Sequence, residues 1–243
     1  LSLIERYRIS TLCCPPTMYR LMMQAGVDGH DLSCLSYCTT AGEALNPDLF
    51  DGWREHTGLP LVEGFGQTES PLLVFNSIGM TPKPGSMGKP SPHYTVQIQD
   101  ETGAECPPGT TGEGVVAINP RPDGILLEYF RDEERTAEAM HDGWYHTGDT
   151  AWADEDGHYW YVGRNDDVIK SSGYRIGPFE VENALTDHPA VAEAAVIGVP
   201  DPTVGEVVKA FVTLKDGYQP DDALQRDLMA HARKRLGAAV APK

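Results

Sequence analysis

No apolar run in this sequence approaches the roughly 20 residues that a membrane-spanning helix needs, so no membrane span is expected. Basic residues are scarce. Against 36 Asp and Glu there are 19 Lys and Arg, a formal net charge of −17. Nowhere do the cations gather into a stripe that could follow a phosphate backbone, which excludes nucleic acid and anionic membrane surfaces as partners. Cysteine is sparse too: of five, Cys13 and Cys14 are adjacent, Cys34 and Cys38 lie four apart, and Cys106 stands alone. An odd count without paired CxxC spacing argues against a disulfide framework or a zinc site and for reduced thiols. The opening Leu1–Tyr7 carries charge where a signal peptide would be apolar, so a cytoplasmic protein is expected. An initiator Met is also lacking, which makes a piece of a longer protein the expectation. What remains is globular material: 243 residues, 40% hydrophobic, enough to bury a core.

Along the chain the pattern is first α/β. Met18, Leu21, Met22 and Ala25 recur at helical spacing before Gly26, predicting a short helix with this stripe in the core. A strand over Leu35–Thr40 leads into Ala41-Gly42-Glu43-Ala44. Asn46-Pro47 then supplies an N-cap and a first-turn proline for a helix carrying Phe50 and Trp53. Leu61-Val62-Glu63 predicts another strand, entering the glycine-punctuated turn Gly64-Phe65-Gly66-Gln67-Thr68-Glu69. From about 81 to 163, short strands between Gly and Pro turns (95–100, 113–119 and 158–162) predict a small antiparallel sheet or barrel, interrupted by a surface helix over 131–140. Beyond Arg164 a compact α+β unit follows: strand 167–170, helix 179–188, strands 191–199 and 207–214, and a helix over 221–236 with Leu224, Leu228 and Leu236 on one face. The domain boundary is placed at residues 165/166.

Three strings carry chemistry. In Gly64–Glu69, two glycines, a hydroxyl and a carboxylate follow a strand, so Thr68 can donate to a phosphate oxygen and Glu69 can ligate a Mg²⁺ that bridges phosphates; the alternative is an ordinary polar turn. Gly143–Asp149 ends in a carboxylate suited to both hydroxyls of a ribose, although Gly-Asp is also a common turn. Gly163–Arg175 packs cations, carboxylates and glycine at the expected boundary, where a hinge facing a cleft would place them. The remaining histidines show no metal spacing and read as surface or core residues.

In order and spacing these strings resemble the adenylate-forming superfamily of acyl-CoA synthetases, peptide-synthetase adenylation domains and luciferases. Ala41–Leu45, Gly85–Pro90, and Val199–Pro202 followed by Gly205–Ala210 add to the resemblance, which covers nearly the whole chain. Glu128-Tyr129-Phe130 and Val168–Pro178 look most like acetyl-CoA and medium-chain acyl-CoA synthetases. The resemblance implies the C-terminal part of a large α/β domain with a β-barrel-like subdomain, then a small mobile α+β domain. It implies that Gly42, Glu43 and Ala44 flank an adenine, that Glu63, Gly64, Phe65, Gly66, Gln67 and Thr68 line the nucleotide and acyl pocket, and that Glu69 holds Mg²⁺. Asp149 and Arg164 would hold the ribose, and Asp166 matches the hinge. Ser172, Gly173 and Tyr174 would border the CoA pantetheine, with Arg175 approaching the phosphate and thioester end. In this family Thr68, Glu69 and Arg175 would act on the reacting groups.

The implied reaction uses ATP, Mg²⁺ and coenzyme A. A carboxylate attacks the α-phosphate and expels pyrophosphate, then the CoA thiol attacks the mixed anhydride and expels AMP. Acetyl-specific relatives place a Trp where this sequence has Gly66, which implies space for a short- to medium-chain acid larger than acetate. Two alternatives stay open: a domain that loads a carrier-protein phosphopantetheine, and a non-catalytic nucleotide-binding remnant. The family's phosphate loop would lie ahead of Leu1, and Lys243 is not expected to be the adenylation lysine, so these residues alone are expected to be inactive. Val204 stands where relatives often carry Arg.

Overall fold

Three short parallel strands organise the N-terminal part of the chain. After helix α1 (Ser2–Tyr7), strand β1 (Thr11–Cys13) is linked by helix α2 (Pro16–Ala25) to β2 (Tyr37–Thr40), and helix α3 (Pro47–Thr57) leads on to β3 (Leu61–Gln67). Strands β4 (Ser70–Phe75) and β5 (Lys89–Pro90) extend this sheet antiparallel, giving the order β1-β2-β3-β4-β5. A second sheet, ordered β10-β9-β7-β6 with β8 on β9, is built from β6 (Val96–Gln99), β7 (Gly112–Ala117), β8 (Met140–His141), β9 (Trp144–Ala153) and β10 (Tyr159–Arg164). Surface helix α4 (Glu133–Ala139) precedes β8, and none of its residues is buried. The third sheet, β12-β11-β14-β13, consists of β11 (Ile169–Ser171), β12 (Tyr174–Ile176), β13 (Val191–Asp201) and β14 (Gly205–Leu214), with helices α5 (Pro178–Thr186) and α6 (Asp222–Leu236).

This computed structural model describes residues 1–242, so Lys243 lies outside the described residues. Two compact units emerge: a larger one, Leu1–Thr147 with Ala151–Tyr161, and a smaller one, Gly148–Thr150 with the chain from Val162 onward. The larger unit has two cores, one around Tyr19, Phe50, Trp53 and Leu61, the other around Leu73, Val116 and Tyr145. In the smaller unit Ile169, Ile176, Val181, Leu185 and Ala232 form the core.

Helix α3 starts as its sequence requires: the Asn46 side chain accepts from the Asp48 amide at 2.7 Å, and Phe50 and Trp53 are buried. Helix α2 corrects an expectation. Met18 and Leu21 are exposed, and the buried face carries Pro16 and Tyr19 instead. The physical reason is Tyr19, whose hydroxyl donates to the carbonyls of Leu12 and Thr39 at 3.1 and 3.0 Å and whose ring meets Trp53 edge to face. An aromatic ring with its hydroxyl satisfied buries more area than a Met stripe can, and it sets the rotation of the helix.

The glycine-punctuated string is corrected as well. Gly64, Phe65, Gly66 and Gln67 continue strand β3, and only Thr68 and Glu69 form a turn. Glycine serves close backbone approach here: a Cβ on Gly66 would sit 2.5 Å from the Pro71 carbonyl oxygen on β4. Gly88 follows the same logic, with φ 103° and a Cβ position 2.2 Å from the Phe75 carbonyl carbon. The Gly85–Pro90 string is thereby explained as a tie between strands, reinforced by Ser86 Oγ donating to the Tyr159 carbonyl at 3.0 Å.

Candidate functional site

In the larger unit, parallel register places Thr40 beside Glu63, so the segments following β2 and β3 leave the same carboxyl edge of the sheet. Such edges are where open α/β sheets collect ligands. Gly42 turns the chain there with φ 90°, a left-handed conformation suited to glycine. The Glu43 carboxylate, expected beside an adenine, accepts from the Thr17 hydroxyl and amide at 2.7 and 3.2 Å and so caps the start of α2. Ala44 is half-buried next to Leu45, whose amide donates to Glu63 Oε1 at 3.4 Å.

Glu63 is 5% exposed, and its Oε2 has no hydrogen-bond partner. Burial pushes its carboxyl up to about 8, opposed only in part by the Leu45 amide. Burial therefore favours the protonated form of the group at neutral pH. Phe65 packs into the second core near Tyr161. Both ends of the Gln67 amide are engaged, Nε2 donating to the Thr147 carbonyl at 2.9 Å and Oε1 accepting from the Tyr145 hydroxyl at 2.5 Å. Gln67 thus works as a brace between β3 and β9.

Thr68 is exposed at the turn. Glu69 is half-buried and accepts from the Tyr129 hydroxyl at 3.0 Å, while its carbonyl accepts from the Leu126 amide at 2.7 Å. The Arg135 guanidinium lies over the Tyr129 ring, 4.1 Å from its centroid, and the Thr136 hydroxyl accepts from the Tyr129 amide at 2.9 Å. Sequence reasoning missed this role of Tyr129. Tyr129 lies in Glu128-Tyr129-Phe130, but nothing local connects it to Glu69, 60 positions away. Among the described residues no group of three or more His, Cys, Asp or Glu is arranged to hold a metal. A single half-buried carboxylate beside an exposed hydroxyl instead fits Mg²⁺, which takes one or two carboxylates and completes its shell from phosphates and water.

The smaller unit holds the second cluster. Asp149, on β9, is buried, and the Arg164 guanidinium, on β10, lies 3.6 Å from its carboxylate. Gly148 makes this possible: its φ is 68°, and a Cβ there would fall 2.8 Å from the Arg164 Nη2. Asn165 locks the pair from behind, its amide donating to the Gly148 carbonyl at 2.8 Å and its side chain accepting from the Thr150 hydroxyl at 3.0 Å. The two residues expected at a ribose are thus brought together. Asp166 is exposed in the turn after β10, and its carboxylate accepts from Arg164 Nε at 3.4 Å. Ser172 and Gly173, with φ 51° and 82°, form the two-residue turn of the β11–β12 hairpin, followed by exposed Tyr174 and Arg175.

These features are those of an AMP-binding enzyme, and the chain belongs to that family: residues 1–121 match the AMP-binding enzyme family, and residues 180–243 match the AMP-binding enzyme C-terminal domain. Among its relatives it is 50% identical over 236 residues to the mitochondrial acyl-coenzyme A synthetase ACSM5 of Mus musculus, covering 96% of this chain and 41% of that protein. It is 46% identical over 237 residues to the mitochondrial acyl-coenzyme A synthetase ACSM3 of Homo sapiens, covering 96% of this chain and 40% of that one. In structure it is similar to the anthranilate CoA ligase AuaEII in complex with anthranoyl-AMP, with a TM-score of 0.88 and 36% identity over 100% of this chain and 46% of the other. The chain therefore spans about two fifths of the length of the curated relatives it matches. Their mitochondrial location overturns the cytoplasmic expectation. Targeting segments are read separately from the folded domain, so the charge of Leu1–Tyr7 carried no information about compartment. Among the described residues no helix is long and apolar enough to cross a membrane.

Proposed function

We infer that the protein carrying these residues is an AMP-forming acyl-CoA synthetase acting on a short- to medium-chain carboxylic acid, with ATP and coenzyme A as co-substrates. The observation that carries this reading is the Asp149–Arg164 pair, buried on the Asp149 side, with the two groups 3.6 Å apart and the guanidinium lying over Gly148. The Asp149 carboxylate accepts from both ribose hydroxyls, and Arg164 fixes its orientation and charge. Glu63 to Thr68 line the nucleotide and acyl pocket, with the Thr68 hydroxyl donating to a phosphate oxygen. Glu69, aimed by Tyr129, holds Mg²⁺, which when bound offsets charge on the phosphate oxygens. Arg175 approaches the phosphate and thioester end, and Ser172, Gly173 and Tyr174 border the CoA arm. The acid's carboxylate attacks the α-phosphorus and pyrophosphate leaves. The CoA thiol then attacks the acyl carbon and AMP leaves.

We place the boundary between the AMP-binding part and the small C-terminal domain at 165/166, with a barrel-like subdomain over 81–163, and assign Asp166 as the residue that absorbs backbone rotation between the two half-reactions. Gly66 gives this reading no support on acid size, because the space beside it is filled by the Pro71 carbonyl. The test is acid-dependent ATP–pyrophosphate exchange and thioester formation by the full-length protein with acetate through octanoate. Exchange that does not depend on added acid overturns the reading, and a higher kcat/KM for acetate than for octanoate overturns the chain-length assignment.

A further inference from the structure

The turn that carries Ser172 does not hold itself. Strand β11 pairs with β14 at one position, Ser171 with Gly205, and the flanking backbone donors find other partners. On one side the Ser172 amide donates to the Val204 carbonyl at 2.8 Å. On the other, the Lys170 amide donates to the Glu206 carboxylate at 2.7 Å, so a side chain stands where a ladder would offer a carbonyl. Gly205, with φ 87°, lets the strands close, a Cβ there falling 2.9 Å from the Lys170 carbonyl oxygen. The connection from β13 to β14 is itself fixed by Asp201, whose carboxylate accepts from the Thr203 and Val204 amides at 2.8 and 3.1 Å. Across the β13–β14 pair Gly198 faces Val208, next to the Glu206–Pro200 pairing, and a Cβ on Gly198 would sit 2.7 Å from the Glu206 carboxylate. The space that lets Glu206 reach Lys170 is thus kept by a glycine.

We propose that Glu206 is a positioning residue for the Ser172–Tyr174 turn, holding it through the Lys170 amide, and that Gly198 exists to admit its carboxylate. The proposal rests on the reading of Ser172–Tyr174 as the CoA-bordering segment. Glu206 touches no reacting group; it acts on the second half-reaction through the hairpin. A carboxylate accepting from a backbone amide is among the stronger hydrogen bonds, and its loss leaves the Lys170 N–H without its acceptor at the edge of a two-residue turn.

Three single variants of the full-length protein, and one double variant, test this. Glu206→Leu removes the acceptor, Glu206→Gln keeps one, and Gly198→Ala pushes the carboxylate away while leaving its chemistry intact. Because the Cβ of Gly198→Ala would meet only the far end of a flexible side chain, that variant keeps its fold if Glu206→Leu does not. Glu206→Leu and Gly198→Ala are expected to raise the KM for CoA about tenfold, the scale of one lost hydrogen bond to a charged group, with pyrophosphate exchange within about twofold. Amide hydrogen exchange over 169–176 should quicken in both, Glu206→Gln should restore both readouts, and the Gly198→Ala/Glu206→Leu double variant should be no worse than Glu206→Leu alone. Unchanged amide exchange overturns the positioning role. Equal loss of both half-reactions, or a Glu206→Gln variant as impaired as Glu206→Leu, does the same by showing a structural part only. Faster amide exchange with an unchanged KM for CoA removes the CoA reading beneath the proposal and overturns it from that side.

Discussion

Glu69 and Ser172 both sit on two-residue turns between antiparallel strands, and the two turns are held by different proportions of side chain and backbone. Around Glu69 the restraint comes mostly from side chains, the Tyr129 hydroxyl and the Gln67 amide between Tyr145 and Thr147, with one backbone bond from the Leu126 amide to the Glu69 carbonyl. Around Ser172 it comes mostly from backbone, a pair of left-handed residues and the Val204 carbonyl, with a single side chain, the Glu206 carboxylate, accepting from the Lys170 amide. A turn held by side chains depends on distant residues and is sensitive to what fills the space around it. A turn held mostly by backbone tolerates changes of side chain that respect φ, except at the one residue, Glu206, whose carboxylate it needs.

The largest effect that would sharpen this contrast is expected at Gly66. Any Cβ there collides with the Pro71 carbonyl oxygen at 2.5 Å, a backbone atom that cannot step aside. Gly66→Ala is expected to cost the larger unit about 2 to 4 kcal/mol, the range of severe overpacking and strain, and Gly66→Trp at least as much, because β4 must shift to admit either side chain. All four tryptophans, residues 53, 144, 152 and 160, belong to the larger unit, so denaturation followed by their fluorescence reads it alone. A folded Gly66→Trp protein with native stability would refute the close-approach explanation.

Glu63 comes next. Its carboxyl has an ordinary value of 4.5 and is raised to about 8 in the folded chain by burial. The folded state therefore binds the proton more tightly than the unfolded state. That contribution is complete below pH 4.5 and shrinks as pH rises until it is gone past about 8, an upper bound of about 5 kcal/mol. The urea midpoint of the larger unit should fall between pH 6 and 9 in the nucleotide-free protein, and Glu63→Gln should flatten that slope. A native slope unchanged by Glu63→Gln would assign the pH dependence elsewhere.

Asp149→Asn is expected to cut kcat/KM for ATP about 10²-fold in pyrophosphate exchange, since it leaves the Arg164 guanidinium beside an uncharged partner and weakens the ribose acceptor. The KM for CoA should stay within twofold, and a comparable rise in the KM for CoA beside the loss toward ATP would mean that the pair merely supports the fold. Tyr129→Phe is a smaller cut. It removes the 3.0 Å hydrogen bond to Glu69 but keeps the ring under Arg135. The expected outcome is a severalfold rise in the Mg²⁺ concentration needed for half-maximal exchange, with the fluorescence midpoint moved by less than about 1 kcal/mol. No change in Mg²⁺ dependence would free Glu69 from Tyr129.

The same contrast decides what could be read from the chain alone. Helix α3 was legible because Asn46-Pro47 is a local start signal, and β13 and β14 because their β-branched runs are long. The turn at Ser172-Gly173 has residue types that suit it, while β12 beyond it is too short, at three residues, to show an alternation. Strand β4 was hidden in Ser70–Phe75, where Pro71 and two exposed positions blur the alternation, and β9 by the Gly-Asp in its middle, which reads as a turn until Arg164 is seen lying over Gly148. In Gly64–Gln67 the glycines looked like loop residues because local sequence does not reveal that a neighbouring strand occupies the Cβ positions. The sites divide likewise: Asp149, Arg164 and the hairpin residues carry their geometry nearby, whereas the partners of Glu69 and Gln67 come from 60 to 80 positions away.

The smallest expected effect belongs to the two central residues of the Ser172 turn. Ser172 occupies φ 51° and Gly173 φ 82°, the pattern of a two-residue hairpin turn in which both central residues are left-handed. Asn tolerates that conformation better than Ser, because its short amide can satisfy nearby backbone groups, so Asn-Gly is the favoured pair for such turns. Ser172→Asn should therefore stabilise the smaller unit by about 0.5 kcal/mol, read as slower amide exchange over 169–176. The same substitution replaces an exposed hydroxyl at the segment assigned to CoA with a larger amide. A modest rise in the KM for CoA, about two- to threefold, should accompany the gain in stability, while pyrophosphate exchange stays level. If stability and CoA affinity improved together, Ser172 would have no part in the CoA contact. If slower amide exchange failed to appear, the turn would owe its shape to Val204 and Glu206 rather than to its own two residues, and the contrast with the Glu69 turn would narrow to one of degree.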